Sequence, residues 1–248
     1  ERTGIGERHV SVGETVVTLA SEAVRKALEQ AGKRAEEIDL ILVATCSPEQ
    51  YLPCCACRVQ ADIGAVNALA FDVNAACSGF LFALNTADAY LRTGLAENAL
   101  IIGSEVLSKL VDWTDRSSCI LFGDGAGAVV VERCGAESWA AEYGNTLSET
   151  EKRMQNMTAE EKRIPAGILG RALHSDGTGG GVLQCGAREL TTPYAGTSVA
   201  KTDQNQTTDG REHYIQMDGQ EVYRFATRRV PQCIEEALSD AEVIFQLR

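Results

Sequence analysis

The stretch of sequence that decides the fold runs Phe71-Asp72-Val73-Asn74-Ala75-Ala76-Cys77-Ser78-Gly79-Phe80. Its first residues are typical of a buried strand, its small residues allow a sharp turn, and Cys77 stands where a helix opens. The amide groups and the dipole of a helix's first turn favour negative charge, so this setting predicts a stabilised Cys77 thiolate. A buried cysteine that acts as a small hydrophobic residue is an equally open alternative on this stretch alone.

Helices and strands alternate on both sides of this stretch. Apolar residues recur with helical spacing, aliphatic runs have the length of a strand, and glycines follow as stop signals. The predicted elements are a helix over residues 15–31, a strand over 38–45, a strand over 68–73, a helix over 77–91 and a strand over 99–103. This alternation predicts a parallel, layered α/β core.

The rest of the sequence is less regular. The predicted elements there are a tight turn into a buried strand over 121–131, one or two short exposed helices over 143–163, a strand over 167–174, a loop over 177–181, a helix from about Gly219 that Pro231 kinks or divides, and a strand over 243–245. Cys54-Cys55-Ala56-Cys57 is predicted to begin a helix with small apolar residues. A closed zinc site needs four ligands, and no second cysteine pair follows, so we predict no metal site.

Composition restricts the class of protein. A chain of 248 residues that is 44% hydrophobic is typical of a globular protein, and its net charge of −12 argues against binding nucleic acid. No apolar run reaches the roughly 18 residues of a membrane span, and the first residues have no apolar segment of the kind that signal peptides carry. We therefore expect a cytoplasmic protein. Nine cysteines, an odd number, favour free thiols over a disulfide framework.

Five motifs in a fixed order give the chain a family resemblance. They are the opening Arg2-Thr3-Gly4-Ile5-Gly6-Glu7-Arg8-His9, the run Asn74-Ala75-Ala76-Cys77-Ser78-Gly79-Phe80, Asp115-Arg116, Phe122-Gly123-Asp124-Gly125-Ala126-Gly127-Ala128, and Leu173-His174-Ser175-Asp176-Gly177. With them the chain resembles the β-ketoacyl-acyl carrier protein synthase III family of thiolase-fold condensing enzymes. The resemblance covers nearly everything except the charged stretch 143–163.

The resemblance implies a fold and a reaction. The fold is α/β and thiolase-like, with layers α-β-α-β-α in two similar halves, of which the second is incomplete in this sequence. Residues 1–135 would form the half with Cys77, 136–166 a charged helical insertion, and 167–248 part of the second half. The implied reaction loads an acyl group from acyl-CoA onto Cys77. It then condenses that group with malonyl-acyl carrier protein, without a cofactor, and so begins fatty-acid synthesis. The family usually forms homodimers.

The resemblance also implies roles for individual residues, position by position. Those that match family sites are Arg2 and Arg116 for the phosphates and adenine of CoA, Gln220 and Tyr223 for pantetheine, Arg224 for docking of the carrier protein, and Leu52 and Phe122 for the acyl pocket. A guanidinium group is apt for stacking on a ring and for binding phosphate. Each arginine taken alone would be interpreted as a solvated surface charge.

The sequence departs from the family in its last part. The family uses a histidine, within a His-Gln-Ala-Asn segment, and a further asparagine to stabilise the carbanion of decarboxylation. Here Val243-Ile244-Phe245 is followed by Gln246-Leu247-Arg248, and neither residue is evident. We expect these 248 residues to lack the family's N-terminal start and C-terminal quarter. We favour an incomplete copy of an active enzyme over a natural truncation that at most loads an acyl group.

Three functions stay open at this point. The first is a synthase III condensing enzyme. The second is another acyltransferase of the thiolase superfamily, such as a hydroxymethylglutaryl-CoA synthase or a polyketide starter enzyme, with the same cysteine. The third is a non-condensing acyl-binding protein. The Gly-Asp-Gly-Ala-Gly-Ala motif and the opening Arg-Thr-Gly-Ile motif favour the first over the second.

Overall fold

The structure is a computed structural model that describes residues 3–133, 168–186 and 213–241. The described residues belong to two compact units, one of 3–133 with 180–186 and 213–219, the other of 168–179 with 220–241. The helices are α1 Val16–Ala31, α2 Cys55–Ile63, α3 Gly79–Thr93 and α4 Gly219–Asp240. The strands are β1 Leu40–Ala44, β2 Leu69–Val73, β3 Asn98–Val106, β4 Asp124–Glu132, β5 Leu183–Gln184 and β6 Gln216–Met217.

The first unit is built on a four-stranded sheet with the order β2-β1-β3-β4. Strand β1 is parallel to both β2 and β3, as the sequence predicted. Strand β4, whose direction was not predicted, runs antiparallel to β3. The physical reason is the connection between β3 and β4, which contains no α-helix to carry the chain back to the other end of the sheet.

Helices cover both faces of this sheet. The side chains of β1 alternate between the two faces: Ile41 and Val43 pack with α1 and α2, whereas Leu40 and Leu42 pack with α3. Every residue of β1 is buried because helices lie above and below it. This packing gives the first unit three layers, α-β-α, with β1 at the centre.

Local signals set the ends of the helices where the sequence predicted them. The Thr15 side chain accepts a hydrogen bond from the Thr18 amide at 3.1 Å, which caps the start of α1. Gly32 ends α1 with φ +63°, and Gly94 ends α3 with φ +74°. The predicted helix over 15–31 is confirmed. The helix predicted over 77–91 is also confirmed, although its first α-helical residue is Gly79.

Among the described strands, β4 is at the edge of the sheet, and it is largely exposed, contrary to the prediction of a buried strand. Val130 packs on the core shared with α1, whereas Val129 is 38% exposed. The three valines 129–131 resemble a buried run in sequence. An edge strand is hydrogen-bonded on one side alone, so such a run can be apolar without being enclosed.

The second unit contains most of α4 and the segment 168–176. Pro231 lies inside a continuous α4, so it does not divide the helix. The strand predicted over 167–174 is wrong for the part that the structure describes, because residues 168–174 form no strand there. Instead, this segment lies against the end of α4. The Arg171 amide donates to Asp240 Oδ2 at 2.9 Å. Gly170 lies so close to the helix that a Cβ there would clash with the Ala237 carbonyl and with Ala241. The predicted loop over 177–181 is a short 3-10 helix, Gly177–Val182.

Several predictions fall outside the described residues. They are the exposed helices over 143–163, the strand over 243–245 and the role of Arg2. Among the described helices, none is both long and apolar enough to cross a membrane.

Candidate active site

The ends of three parallel strands place the predicted residues of the first unit at one edge of the sheet. Strands β1, β2 and β3 run in the same direction, so the segments that follow them leave the sheet at the same edge. The segment after β1 carries Leu52, the turn after β2 carries Cys77, and the connection after β3 carries Arg116 and Phe122. Sites of α/β proteins lie at this edge as a rule.

Cys77 lies in a single 3-10 turn, Ala76–Ser78, between β2 and α3. The sequence predicted it as the first helical residue, and the structure places it two residues before Gly79, where α3 begins. Cys77 is exposed, so it differs from the buried cysteine that the sequence allowed as an alternative. The sulfur is therefore accessible at the positive end of the α3 dipole.

The turn that carries Cys77 is tight on both sides. Ala76 has φ +44°, a left-handed conformation that costs a residue with a Cβ roughly 1–2 kcal/mol. A Cβ on Gly79 would lie 3.2 Å from the Cβ of Ala44 at the end of β1, so a larger residue there would require Ala44 to shift by a few tenths of an ångström. A strained backbone and a close contact together fix the direction in which the turn presents Cys77.

The amide groups of the turn suggest how it could stabilise an oxyanion. The Ser78 amide donates to the Ala75 carbonyl at 3.1 Å, and the Gly79 amide donates to the Ala76 carbonyl. The Cys77 amide has no acceptor within the described parts of the chain. A backbone amide next to the nucleophile is therefore available to a negatively charged oxygen.

Glu105, near the end of β3, is a residue that the sequence analysis missed. Its carboxylate accepts hydrogen bonds from the Cys46 amide at 2.8 Å, from the Thr45 hydroxyl at 3.2 Å and from the Ser47 hydroxyl. These bonds hold the first residues after β1. The signal was the one carboxylate of a largely apolar strand, because a carboxylate needs hydrogen-bond partners when the strand is covered.

Cys46 is a second cysteine at this edge, and its environment differs from that of Cys77. Burial raises the pKa of the Cys46 thiol to about 12, and the adjacent Glu105 carboxylate adds to the rise. Cys77 is close enough to Cys46 to act on it electrostatically. Cys46 is half-buried and protonated at neutral pH, whereas Cys77 is exposed. Of these two neighbours, Cys77 is the one that is accessible to a molecule outside the protein.

Asp124 joins two of the sequence motifs. Its carboxylate accepts from the Ser11 amide at 2.7 Å, from the Ser108 amide at 2.8 Å and from the Ser108 hydroxyl at 2.7 Å. The Asp124 amide also donates to the His9 carbonyl at 2.9 Å. The opening motif is thereby attached to the start of β4. Burial alone would raise the pKa of Asp124, but the hydrogen bonds from Ser11 and Ser108 outweigh it and lower that pKa.

We expect Asp124→Asn to lower the free energy of unfolding by roughly 1–3 kcal/mol at pH 7, since an amide cannot accept all three bonds. The pKa of Asp124 is lower in the folded state than its ordinary value of 3.8. Its contribution is therefore complete above about pH 4 and is lost as the pH falls through the folded-state pKa. Urea unfolding at pH 7 and pH 3.5 measures the difference between wild type and variant, which should shrink at the lower pH.

The control for this prediction is Glu22→Gln, which removes an exposed ion pair with Arg25 and should change stability by less than about 1 kcal/mol. A difference between wild type and Asp124→Asn that is the same at both pH values would contradict the role given to the Asp124 carboxylate.

Three predicted residues lie together in the second unit. Gln220, Tyr223 and Arg224 are exposed residues of the first turns of α4. Arg224 forms an ion pair with Glu221, one turn earlier. The structure thus groups the predicted pantetheine and carrier-protein residues on one end of one helix. It groups Leu52, Cys77, Arg116 and Phe122 at the sheet edge of the first unit.

The segment that carries Cys77 is similar to a known protein family. Residues 71–146, which include Cys77 and the whole β3–β4 connection, match the family model of 3-oxoacyl-[acyl-carrier-protein] synthase III. The β-ketoacyl-[acyl-carrier-protein] synthase III of Synechococcus sp. (strain WH7803) is 44% identical over 243 residues, which is 98% of this chain. This chain is thus similar to the β-ketoacyl-[acyl-carrier-protein] synthase III family along nearly its whole length. It spans 61% of the length of that Synechococcus relative.

Solved structures of the synthase III family share the fold. The 3-oxoacyl-[acyl-carrier-protein] synthase III of Aquifex aeolicus VF5 is 34% identical, with a TM-score of 0.73 over 97% of this chain and 61% of its own. The priming β-ketosynthase of the R1128 polyketide pathway is 30% identical, with a TM-score of 0.72 over 98% of this chain and 60% of its own. The prediction of a thiolase-like α/β fold is confirmed.

Proposed function

We propose that this chain transfers an acyl group from acyl-CoA to Cys77 and condenses it with malonyl-acyl carrier protein, which gives a 3-oxoacyl-acyl carrier protein. The observation that carries the proposal is the exposed Cys77 on a tight strand-to-helix turn, inside the segment that matches the family model. The name of the 44% identical relative states a β-ketoacyl synthase activity for that protein. Detection of an acyl group on Cys77 after incubation with acyl-CoA tests the proposal.

The first half-reaction is a thioester exchange. The Cys77 thiolate attacks the carbonyl carbon of the acyl-CoA thioester, and the carbonyl oxygen gains negative charge in a tetrahedral intermediate. The Cys77 amide, which has no acceptor in the described residues, is the donor available to that oxygen. The bond to the CoA sulfur then breaks, CoA takes up a proton, and the acyl group stays on Cys77.

The second half-reaction forms a carbon–carbon bond. Malonyl-acyl carrier protein loses CO₂, and the carbanion that remains attacks the acyl-Cys77 carbonyl, which releases the thiol of Cys77. A carbanion next to a thioester needs hydrogen-bond donors on the thioester oxygen. The 248-residue sequence has no His-Gln-Ala-Asn segment that would supply them. Loading and condensation therefore place different demands on this chain.

The substrates and partners of the proposal are an acyl-CoA and an acyl carrier protein. Arg2 and Arg116 are proposed to bind CoA phosphates and adenine, and Gln220 and Tyr223 the pantetheine. Arg224 is proposed to dock the carrier protein. Both substrates are anionic and the chain carries a net charge of −12, so local arginines must provide the attraction.

We further propose a cytoplasmic homodimer that needs no cofactor or metal. Leu52 is 85% exposed and its neighbour Tyr51 is 75% exposed. Two large apolar side chains exposed side by side favour cover by another protein surface. A second copy that covers Leu52 would complete the acyl pocket to which this residue is assigned with Phe122. The acyl transfer to Cys77 is an exchange between a thiolate and a thioester, a reaction that requires no metal or cofactor.

Arg116→Ala is expected to weaken acyl-CoA binding by roughly 1–3 kcal/mol, because a charge-assisted contact is lost. Arg116 is exposed in the β3–β4 connection, so the substitution should leave the fold intact. Calorimetric titration with acyl-CoA measures the change. Arg34→Ala is the matched control, since Arg34 is exposed before β1, at the opposite end of that strand from Cys77. Equal affinities of the two variants would remove Arg116 from the CoA site.

A polyketide starter enzyme is the second candidate function. The fold of the R1128 priming β-ketosynthase matches this chain about as well as that of the Aquifex aeolicus synthase. Both candidates use an acyl-cysteine intermediate, so detection of an adduct does not separate them. A panel of acyl-CoA primers of increasing length, with adduct yield as the readout, distinguishes a fatty-acid primer from a longer or branched starter unit.

A further inference from the structure

Two thiols that have no part in the role assigned to Cys77, those of Cys54 and Cys57, lie at the start of α2. Cys54 is the N-cap residue of α2, with an extended backbone (φ −64°, ψ 158°), and Cys57 is the third residue of the helix. Both cysteines are half-buried, whereas Cys55 between them is fully enclosed in the core. The N-cap residue and the third helical residue have side chains on the same side of a helix's first turn. Cys54 and Cys57 are therefore side-chain neighbours.

Asp72 caps the first turn of α2, so the Cys54 sulfur is not needed as a cap. The Asp72 carboxylate, from the middle of β2, accepts from the Cys55 amide at 2.9 Å and from the Ala56 amide at 2.7 Å. An N-cap side chain usually satisfies amides of this first turn. Here the Cys54 side chain makes no capping hydrogen bond. Its sulfur can therefore face Cys57 without cost to the helix.

The two thiols already interact. A hydrogen-bonding contact with Cys54 is the main cause that raises the pKa of the Cys57 thiol, followed by burial and by the charges of Cys54 and Asp72. Cys57 Sγ also donates to the Ala70 carbonyl at 3.6 Å. Cys54, whose side chain has no capping bond to break, is the member of the pair placed to react first, and Cys57 is its neighbour that would resolve the mixed disulfide.

We propose that Cys54 and Cys57 are a redox-active dithiol that closes reversibly to a disulfide at the start of α2. Residues three apart on a helix have Cβ atoms about 5–6 Å apart, and a disulfide needs about 3.5–4.5 Å. Closure therefore needs a shift of roughly 1–2 Å. The N-cap residue supplies this shift, because its backbone is outside the helix and its side chain has no capping bond to break. The pair makes a Cys-x-x-Cys motif at a helix start, an arrangement that favours thiol–disulfide exchange.

The exchange needs a disulfide as oxidant, and glutathione disulfide is the small molecule of that class used in the test. The Cys54 thiolate attacks one sulfur of glutathione disulfide, and one glutathione leaves. The Cys57 thiol then loses its proton and attacks the Cys54 sulfur of the mixed disulfide, which releases the second glutathione. Two electrons pass from the dithiol to glutathione disulfide, and two glutathione thiols are formed.

The test is differential alkylation of the folded chain in buffers with increasing ratios of glutathione disulfide to glutathione. Trypsin releases residues 35–58 as one peptide, which contains Cys46, Cys54, Cys55 and Cys57. The chain is then quenched in acid and unfolded in urea, so that all free thiols, the buried ones included, are blocked with iodoacetamide before reduction. The thiols that reduction releases are labelled with N-ethylmaleimide afterwards. We expect a form in which Cys54 and Cys57 alone carry N-ethylmaleimide, and which reverts when glutathione is added.

Matched variants decide the assignment. Cys55→Ala retains the pair and should give the same yield of the oxidised peptide as wild type, whereas Cys54→Ser and Cys57→Ser should each lower it at least about tenfold. Circular dichroism checks that each variant is folded. Because there are two separate serine variants, the test still decides the assignment if one of them does not fold. Persistence of the disulfide in either serine variant, or a folded wild type that stays fully reduced at every ratio, would overturn the proposal.

Discussion

Cys77→Ala is expected to abolish the covalent acyl adduct that wild-type chain forms with radiolabelled acetyl-CoA. The variant lacks the only atom to which the acyl group is proposed to bind, so bound label should fall to background, a decrease of at least about 10³-fold in rate. Alanine is smaller than cysteine and Cys77 is exposed, so the fold should be retained. Label that stays with the precipitated protein measures the adduct.

The matched control is Cys119→Ala, since Cys119 is a half-buried thiol in the β3–β4 connection at the same edge of the sheet. It should load acetyl at the rate of wild type. Equal labelling of Cys77→Ala and wild type would mean that another of the nine cysteines, or another residue, accepts the acyl group.

Condensation by the 248-residue chain is expected to be far weaker than loading. Loading requires the thiolate and an oxyanion donor, and the Cys77 amide is one such donor. An oxyanion site with one donor in place of two is typically slower by about 10² to 10³, so loading that relies on the Cys77 amide alone should be slow but measurable. Decarboxylation needs donors for a carbanion, which the sequence does not visibly provide. We expect bound acetyl but little CO₂ when malonyl-acyl carrier protein is added.

The assay measures bound acetyl label and released CO₂ separately, with the Synechococcus relative as the positive control for both. That relative should release CO₂ in proportion to the acetyl that it binds. Robust CO₂ release by the 248-residue chain, absent in Cys77→Ala, would mean that residues within this sequence replace the histidine and asparagine of the family.

The parts of the fold that the sequence predicted well depend on local signals. Thr15 and Gly32 define the ends of α1 through bonds and backbone angles within a few residues. The strand–turn–helix around Cys77 follows from an apolar run, small residues and Gly94 as the helix stop. Such features depend on residues close in sequence, so the amino-acid pattern alone is enough to recognise them.

The parts that the sequence did not predict depend on distant partners. Asp72 caps α2 from a strand, and Glu105 holds Cys46, which lies 59 positions earlier in the chain. The antiparallel direction of β4 follows from the connection before it, which contains no α-helix, and its exposure follows from its place at the edge of the described sheet. The valine run of β4 encodes neither feature. The expected strand over 167–174 is a segment whose Arg171 amide bonds to Asp240 of a helix.

The candidate site was predicted through the family resemblance more than through single residues. Cys77 alone was as consistent with an inert thiol as with a nucleophile, and its exposure in the structure favours the nucleophile. Arg116 and Leu52 had no local signal. The structure places both at the edge where Cys77 lies, because each follows a parallel strand that ends there. The assignments on α4 rest on the resemblance and on their common exposure.

Peptide mapping after incubation with acetyl-CoA tests the central claim most directly, because the sequence isolates the nucleophile. Trypsin releases residues 59–92 as one peptide, and Cys77 is its only cysteine. The proposed function predicts that this peptide gains the mass of one acetyl group, that hydroxylamine removes the group as it does from thioesters, and that no other cysteine peptide is acetylated to a similar extent. An unmodified 59–92 peptide beside an acetylated peptide from elsewhere in the folded chain would contradict the assignment of Cys77 as the acyl-accepting residue.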